Sequence, residues 1–175
     1  VDDYAAAATP MIPTTGNYSI LFWAKESLNQ TGYREIISQG RKFYIGRDNT
    51  GIIRIGDDWT NTGVNWPTDL LWHHYAVTRN SFNTFLYIDG NLVATKGSAI
   101  GSPIVVNGTP NLFMVGSQFS GVCCENFNGQ VDDITIWNSV RTITQIQAAM
   151  NSTVSTASIG LVAYYKLDEG AGLSV

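Results

Sequence analysis

Tyr18-Ser19-Ile20-Leu21-Phe22-Trp23-Ala24-Lys25 is apolar on both faces of an extended chain. Successive side chains of a strand point to opposite sides, so Ile20, Phe22 and Ala24 share one face while Leu21 and Trp23 share the other. A strand with apolar residues on both sides belongs in the middle of a layered structure, where each face meets other protein. These eight residues therefore predict a central strand of a sandwich.

The same period of two continues in both directions. Trp72-His73-His74-Tyr75-Ala76-Val77-Thr78-Arg79 sets Trp72, His74, Ala76 and Thr78 on one face. Asn80 to Asn83 turn the chain into Thr84-Phe85-Leu86-Tyr87-Ile88, and Asp89-Gly90 joins that run to Leu92-Val93-Ala94-Thr95. Aspartate-glycine between two alternating apolar runs predicts a two-residue hairpin. Arg34 to Ser38, Lys42 to Arg47 and Ile52 to Ile55 read as short strands divided by Gln39-Gly40-Arg41 and Asp48-Asn49-Thr50-Gly51. Asn111 to Gly116, Gly129 to Trp137 and Ile159 to Leu167 complete the set. Only Thr142 to Met150 reads as a helix, with Ile143, Ile146 and Met150 spaced for one face and Thr142 as its N-cap. Many short strands and one helix predict an all-β fold.

Composition narrows the partners. Of 175 residues, 14% are charged, against about 25% in an average soluble domain. Gly, Asn, Ser and Thr take the place of charge. The net charge of -4 comes without a basic stripe, which argues against nucleic acid. No polybasic patch suits a membrane surface, and no apolar run reaches the roughly 18 residues of a membrane span. Four Asn-x-Ser/Thr sequons, at Asn17, Asn29, Asn107 and Asn151, matter only in a glycosylating host. The two cysteines, Cys123 and Cys124, are adjacent and cannot staple distant segments. The readings for them are two thiols or a strained vicinal bridge.

Three stretches go beyond generic β-structure: Tyr18 to Lys25, Trp72 to Val93, and Phe127-Asn128-Gly129-Gln130-Val131-Asp132-Asp133-Ile134-Thr135-Ile136-Trp137-Asn138 with the helix after it. In that order they resemble the laminin-G-like, concanavalin A-like jelly rolls. The resemblance implies a two-sheet antiparallel β-sandwich with one short helix near the C-terminus, forming one domain over residues 1–175. Val1-Asp2-Asp3-Tyr4 is similar to the middle of that family's first strand, truncated here. Residues 159–175 resemble a closing strand or a segment flanking such domains in larger surface proteins. A secreted or cell-surface location follows from the resemblance. The ligand does not, because this fold hosts sugar binders, protein binders and glycanases.

The resemblance also implies a structural Ca²⁺ at the sandwich edge, held by Asp2 or Asp3 together with Asp132, since hard cations take oxygen ligands. The alternative is that these carboxylates are solvated or bond a loop. His73 and His74 point to opposite faces, so the expectation is one packed ring and one nearer the surface. Sugar recognition needs an aromatic plane beside polar groups. The stretch from Asp57 to Pro67 supplies Trp59 and Trp66 as planes, with Asp57, Asp58, Asn61 and Asn65 as hydrogen-bonding partners. The competing reading has both indoles plugging the sandwich, because Trp is usually largely buried. Gln118 to Asn126 forms a second polar loop.

Glycanases of this fold carry paired carboxylates on one strand, and none of Glu26, Glu35, Glu125 and Glu169 lies in such a pair. No Gly-x-Ser-x-Gly elbow is present either. The expectation is a non-catalytic, lectin-like module of an adhesive or polysaccharide-degrading protein, with a polysaccharide or glycan as partner. The alternative is a protein-interaction or spacer domain in an adhesin-type array, whose partner is an extracellular protein and whose indoles are buried.

Overall fold

The computed structural model describes residues 4–13, 16–40, 43–57, 59–97, 112–117 and 125–168. The strands are β1 (Ala5–Ala6), β2 (Tyr18–Glu26), β3 (Arg34–Gln39), β4 (Phe43–Arg47), β5 (Ile52–Asp57), β6 (Thr60–Asn65), β7 (His73–Arg79), β8 (Asn83–Ile88), β9 (Asn91–Gly97), β10 (Phe113–Val115), β11 (Gly129–Trp137) and β12 (Leu161–Tyr165). One helix, α1 (Ile143–Ala149), precedes the last strand. The strands form two six-stranded antiparallel sheets: a front sheet ordered β1-β10-β3-β4-β5-β6 and a back sheet ordered β12-β11-β2-β7-β8-β9. The fold is the expected β-sandwich.

β2 lies between β11 and β7, and its two apolar faces have separate uses. Tyr18, Ile20, Phe22 and Ala24 meet Ile45, Ile53, Ile55 and Phe43 of the front sheet in the main core. Leu21 turns the other way and joins Ala76, Trp137 and Ile146 in a second core. Ile146 belongs to α1, so the helix covers the back of the sandwich. Thr142 caps it through a reciprocal pair with Gln145. The expected helical stripe is only partly used: Ile146 is buried, whereas Ile143 is 46% exposed. A seven-residue helix lying on a sheet touches it over little more than one turn, here through Ile146 and Ala149.

Asp89 (φ 49°) and Gly90 (φ 72°) both adopt left-handed backbone, as the two-residue turn between β8 and β9 requires. Gly46 is needed for a different reason. It pairs with Glu35 where β3 and β4 shift register, and a Cβ there would meet the Arg34 carbonyl oxygen at 2.0 Å. Backbone cannot retreat as a flexible side chain can, so Gly46→Ala should cost about 2 kcal/mol. Urea unfolding of the variant beside wild type measures this; unchanged midpoints would contradict it.

The stretch 57–67, in which the sequence reading named no strand, contains strand β6. Asn61, Gly63 and Asn65 are exposed, while Thr62 is buried and Val64 packs against the core. Thr62 Oγ1 donates to the Ile53 carbonyl at 2.7 Å. The period of two is present, but small polar residues carry it. An edge strand needs little apolar surface to hold its place.

Candidate functional site

The outer face of the front sheet gathers a polar-aromatic cluster. β4 sends Phe43 and Ile45 into the core, so Tyr44 faces outward. Tyr44 pairs with Gly56, Gly46 with Arg54, and Arg54 with Asn61, which lays these positions side by side across β4, β5 and β6. The turn after β5 carries Trp59 in left-handed backbone (φ 57°) and brings its indole over Tyr44, ring centres 5.4 Å apart and nearly perpendicular. Tyr33, 41% exposed, completes the cluster at 6.3 Å from Trp59.

A charged pair supports the indole from below. Arg54 donates through Nε at 2.8 Å to Asp48 Oδ2, with Nη2 2.7 Å from the same oxygen, and through Nη1 at 3.3 Å to the Trp59 carbonyl. Burial alone would raise Asp48. The hydroxyl and N–H of Thr50, the Arg54 guanidinium and the Ile52 N–H outweigh it and hold the carboxyl at about 2. Asp48 is thus ionised and neutralises Arg54. What remains is a half-buried indole flanked by two phenols, with exposed Asn61 on the same face opposite Arg54, its Oδ1 accepting from the Gly63 N–H at 2.7 Å. Such a surface stacks on the C–H face of a sugar and offers polar groups to its hydroxyls.

The structure divides the sequence-predicted residues. Trp59 and Asn61 share this outer face, and Asn65 is exposed at the end of β6 opposite Ile52. Trp66 is a correction. It is 4% exposed, stacked on Tyr75 at 4.7 Å and 9°, with Phe127 at 6.0 Å, and has no plane to offer a ligand. Asp57 ends β5 opposite Phe43, and its side chain, like Asp58, lies outside the described residues. Asp2, Asp3, Cys123 and Cys124 lie outside them as well. Asp132 sits on β11 where its register with β2 shifts, and its Oδ1 accepts from the Asp133 N–H at 2.8 Å. Among the described residues, no group of three or more His, Cys, Asp or Glu is placed to hold a metal.

The histidines separate as their alternation demands. His73 is held near the surface between Asp89 (2.7 Å) and Asp69 (3.0 Å). Burial would lower it, but these two carboxylates raise it on balance. His74 is buried against Trp23, and burial pushes it down to about 4.

Sequence reasoning missed Tyr33, Tyr44 and the Asp48–Arg54 pair. A signal existed for Tyr44, an aromatic out of phase with core residues Phe43 and Ile45. None existed for Glu35 and Glu125, which fall far apart in the chain. The Glu35 N–H donates to the Glu125 carbonyl at 2.8 Å, and Asn126 forms a parallel bridge with Glu35. Glu35 is 3% exposed; burial first, and then the neighbouring Glu125 carboxylate, push its carboxyl up to about 9.

Several solved structures share this architecture. A Bacteroides ovatus protein provisionally assigned as carbohydrate binding superposes with a TM-score of 0.77 at 18% identity, covering 95% of this chain and 49% of its own. The chain thus spans about half the length of that protein. Domain 4 of AbnA, a GH43 extracellular arabinanase from Geobacillus stearothermophilus solved with arabinotriose, gives 0.60 at 19% identity, covering 81% and 69%. Botulinum neurotoxin type C, whose cell entry depends on two ganglioside molecules, gives 0.58 at 17%, covering 82% and 37%. At these identities the likeness is one of fold. No curated protein matches the sequence. The profile of the Laminin_G_3 family matches residues 1–147, and with the sandwich in place this chain belongs to the concanavalin A-like lectin/glucanases superfamily.

Proposed function

We propose that this domain is a non-catalytic, lectin-like carbohydrate-binding module of a secreted or cell-surface protein, binding glycan on the outer face of the front sheet. The Trp59–Tyr44–Tyr33 cluster over the Asp48–Arg54 pair is the observation that carries the reading. Arg54 is already neutralised, so stacking and hydroxyl hydrogen bonds dominate, and the face suits neutral sugars. The arabinotriose of the arabinanase domain and the gangliosides of the toxin make glycans a reasonable ligand class.

The non-catalytic half rests on the carboxyl groups. Glycanases hold two carboxyls roughly 5 Å or more apart, with the sugar between them. Glu35 is instead buried, its N–H bonded to the Glu125 carbonyl, and burial with the neighbouring Glu125 carboxylate raises its carboxyl, so it faces no open groove for a sugar.

Affinity electrophoresis against neutral polysaccharides, arabinan among them, tests the proposal. Trp59→Ala and Tyr44→Ala should each weaken retention about fivefold or more, a loss of roughly 1 kcal/mol or more of contact with the sugar face. Retention unchanged in both variants, or absent for every glycan in wild type, would remove this reading. A second reading, a protein-contact domain, is favoured by a different feature. An apolar cavity of about 320 Å³ opens between the sheet edges, lined by Ala5–Ala8, Met11, Phe113, Val115, Tyr165 and Leu167. Its lining suits an apolar side chain better than a sugar.

A further inference from the structure

Buried oxygens gather where the start of β3 meets the chain on either side of residues 118–124. The Gly116 N–H donates to the Ile36 carbonyl, the Phe127 N–H to the Gly116 carbonyl, and the Glu35 N–H to the Glu125 carbonyl. These bonds set the backbones of Glu125 and Asn126 beside Glu35 and that of Gly116 beside Ile36, and the Ser38 hydroxyl donates to the carbonyl of the next residue, Ser117. On these adjoining segments three buried oxygens have no hydrogen-bond partner: Glu35 Oε2, Ser117 Oγ and Asn126 Oδ1. Ser117 is completely buried. Native structures leave only a few such atoms per hundred residues, and an ion or ordered water usually accounts for them. Three together, beside a fourth oxygen group in the Glu125 carboxylate, call for one common partner.

We propose that Glu35, Glu125, Ser117 and Asn126 form a binding site for a divalent cation of the calcium type. All four donors are oxygens, two from carboxyls and two neutral. Hard cations prefer that set, and it lacks the nitrogen and sulfur that favour zinc or copper. Two carboxylates balance the charge of one divalent ion. Calcium suits the position better than magnesium, because it accepts six to eight oxygens in flexible geometry, neutral ones included. The site is distinct from the sandwich-edge position implied for Asp132, and it does not depend on the glycan proposal.

The test uses the whole chain, stripped with EGTA and returned to calcium-free buffer. Adding CaCl₂ should raise the wild-type melting midpoint by roughly 5 °C or more near saturation, with heat of binding in calorimetry. MgCl₂ should give a smaller shift. Glu35→Gln, whose carboxamide keeps the shape of the side chain, should melt at or above wild type in EGTA and lose the calcium shift. Asn126→Ala should weaken calcium binding about tenfold, and it serves as the second variant if Glu35→Gln does not fold. Asp132→Asn should keep the shift. An unchanged wild-type midpoint with no heat of binding would overturn the site. A shift that survives in Glu35→Gln, or is lost only in Asp132→Asn, would also overturn it.

Discussion

Trp66→Ala is expected to cost about 4 kcal/mol and to lower the thermal midpoint by roughly 10 °C. The indole lies flat on Tyr75 (4.7 Å, 9°), which itself stacks on Phe22 at 5.4 Å, and Phe127 closes the edge at 6.0 Å. These rings form a column between the sheets, at the end of the strand pair β5–β6. The Trp66 N–H donates to the Gly51 carbonyl at 2.8 Å and anchors the column to the β4–β5 turn. Alanine would leave a void that several rigid rings cannot collapse to fill. Urea unfolding of Trp66→Ala beside Trp59→Ala separates the two indoles. Trp66→Ala should lose stability, and Trp59→Ala should lose glycan retention with a much smaller stability change. Similar midpoints for both variants would contradict the division of labour.

The second large effect is acid sensitivity centred on His74. In the unfolded chain its imidazole takes a proton near pH 6.5; in the fold, burial delays protonation to about pH 4. Below pH 6.5 the unfolded state therefore binds a proton that the folded state refuses. Stability falls as pH falls through this window, by about 3 kcal/mol in total, and His74 contributes no slope above it. The ring is 3% exposed, with its Nδ1 buried and unpartnered, so solvent does little to soften the penalty. His74→Gln, neutral at every pH, should flatten the difference between pH 6.5 and 4. Unfolding free energies of both proteins at pH 7, 6, 5 and 4 provide the check. Their difference isolates this imidazole, because every other group titrates in both chains. Parallel acid limbs would show that His74 is not responsible.

Much of the architecture was legible one residue at a time. The two-faced run at Tyr18–Lys25, the Asp89-Gly90 turn and the Thr142 cap are local statements. They rest on side-chain alternation, positive φ and short-range hydrogen bonds, and each is present in the structure. β6 escaped because Thr60, Thr62 and Val64 alternate with Asn61, Gly63 and Asn65 almost without apolar contrast. Helical spacing named Ile143 as a core residue, but spacing cannot say how much of a stripe a flat sheet will cover.

The candidate sites lay further from reach. Trp59 and Trp66 stand seven residues apart in similar polar company, and nothing local distinguishes them. One precedes the edge strand, in a left-handed turn that lifts it onto the outer face; the other follows that strand and drops into the ring column. Tyr33 and Tyr44 join Trp59 only because β3, β4 and β5 pair in register. Glu35 and Glu125 meet only because the chain beyond β10 returns to the first residues of β3. Alternation, turn chemistry and capping act between near neighbours, so the sequence by itself determined an all-β fold and its central strand, and its ordered motifs carried the resemblance that implied the sandwich. Which indole faces solvent and which carboxyls share a site depend on strand pairing across the whole chain, and only the tertiary structure decided them.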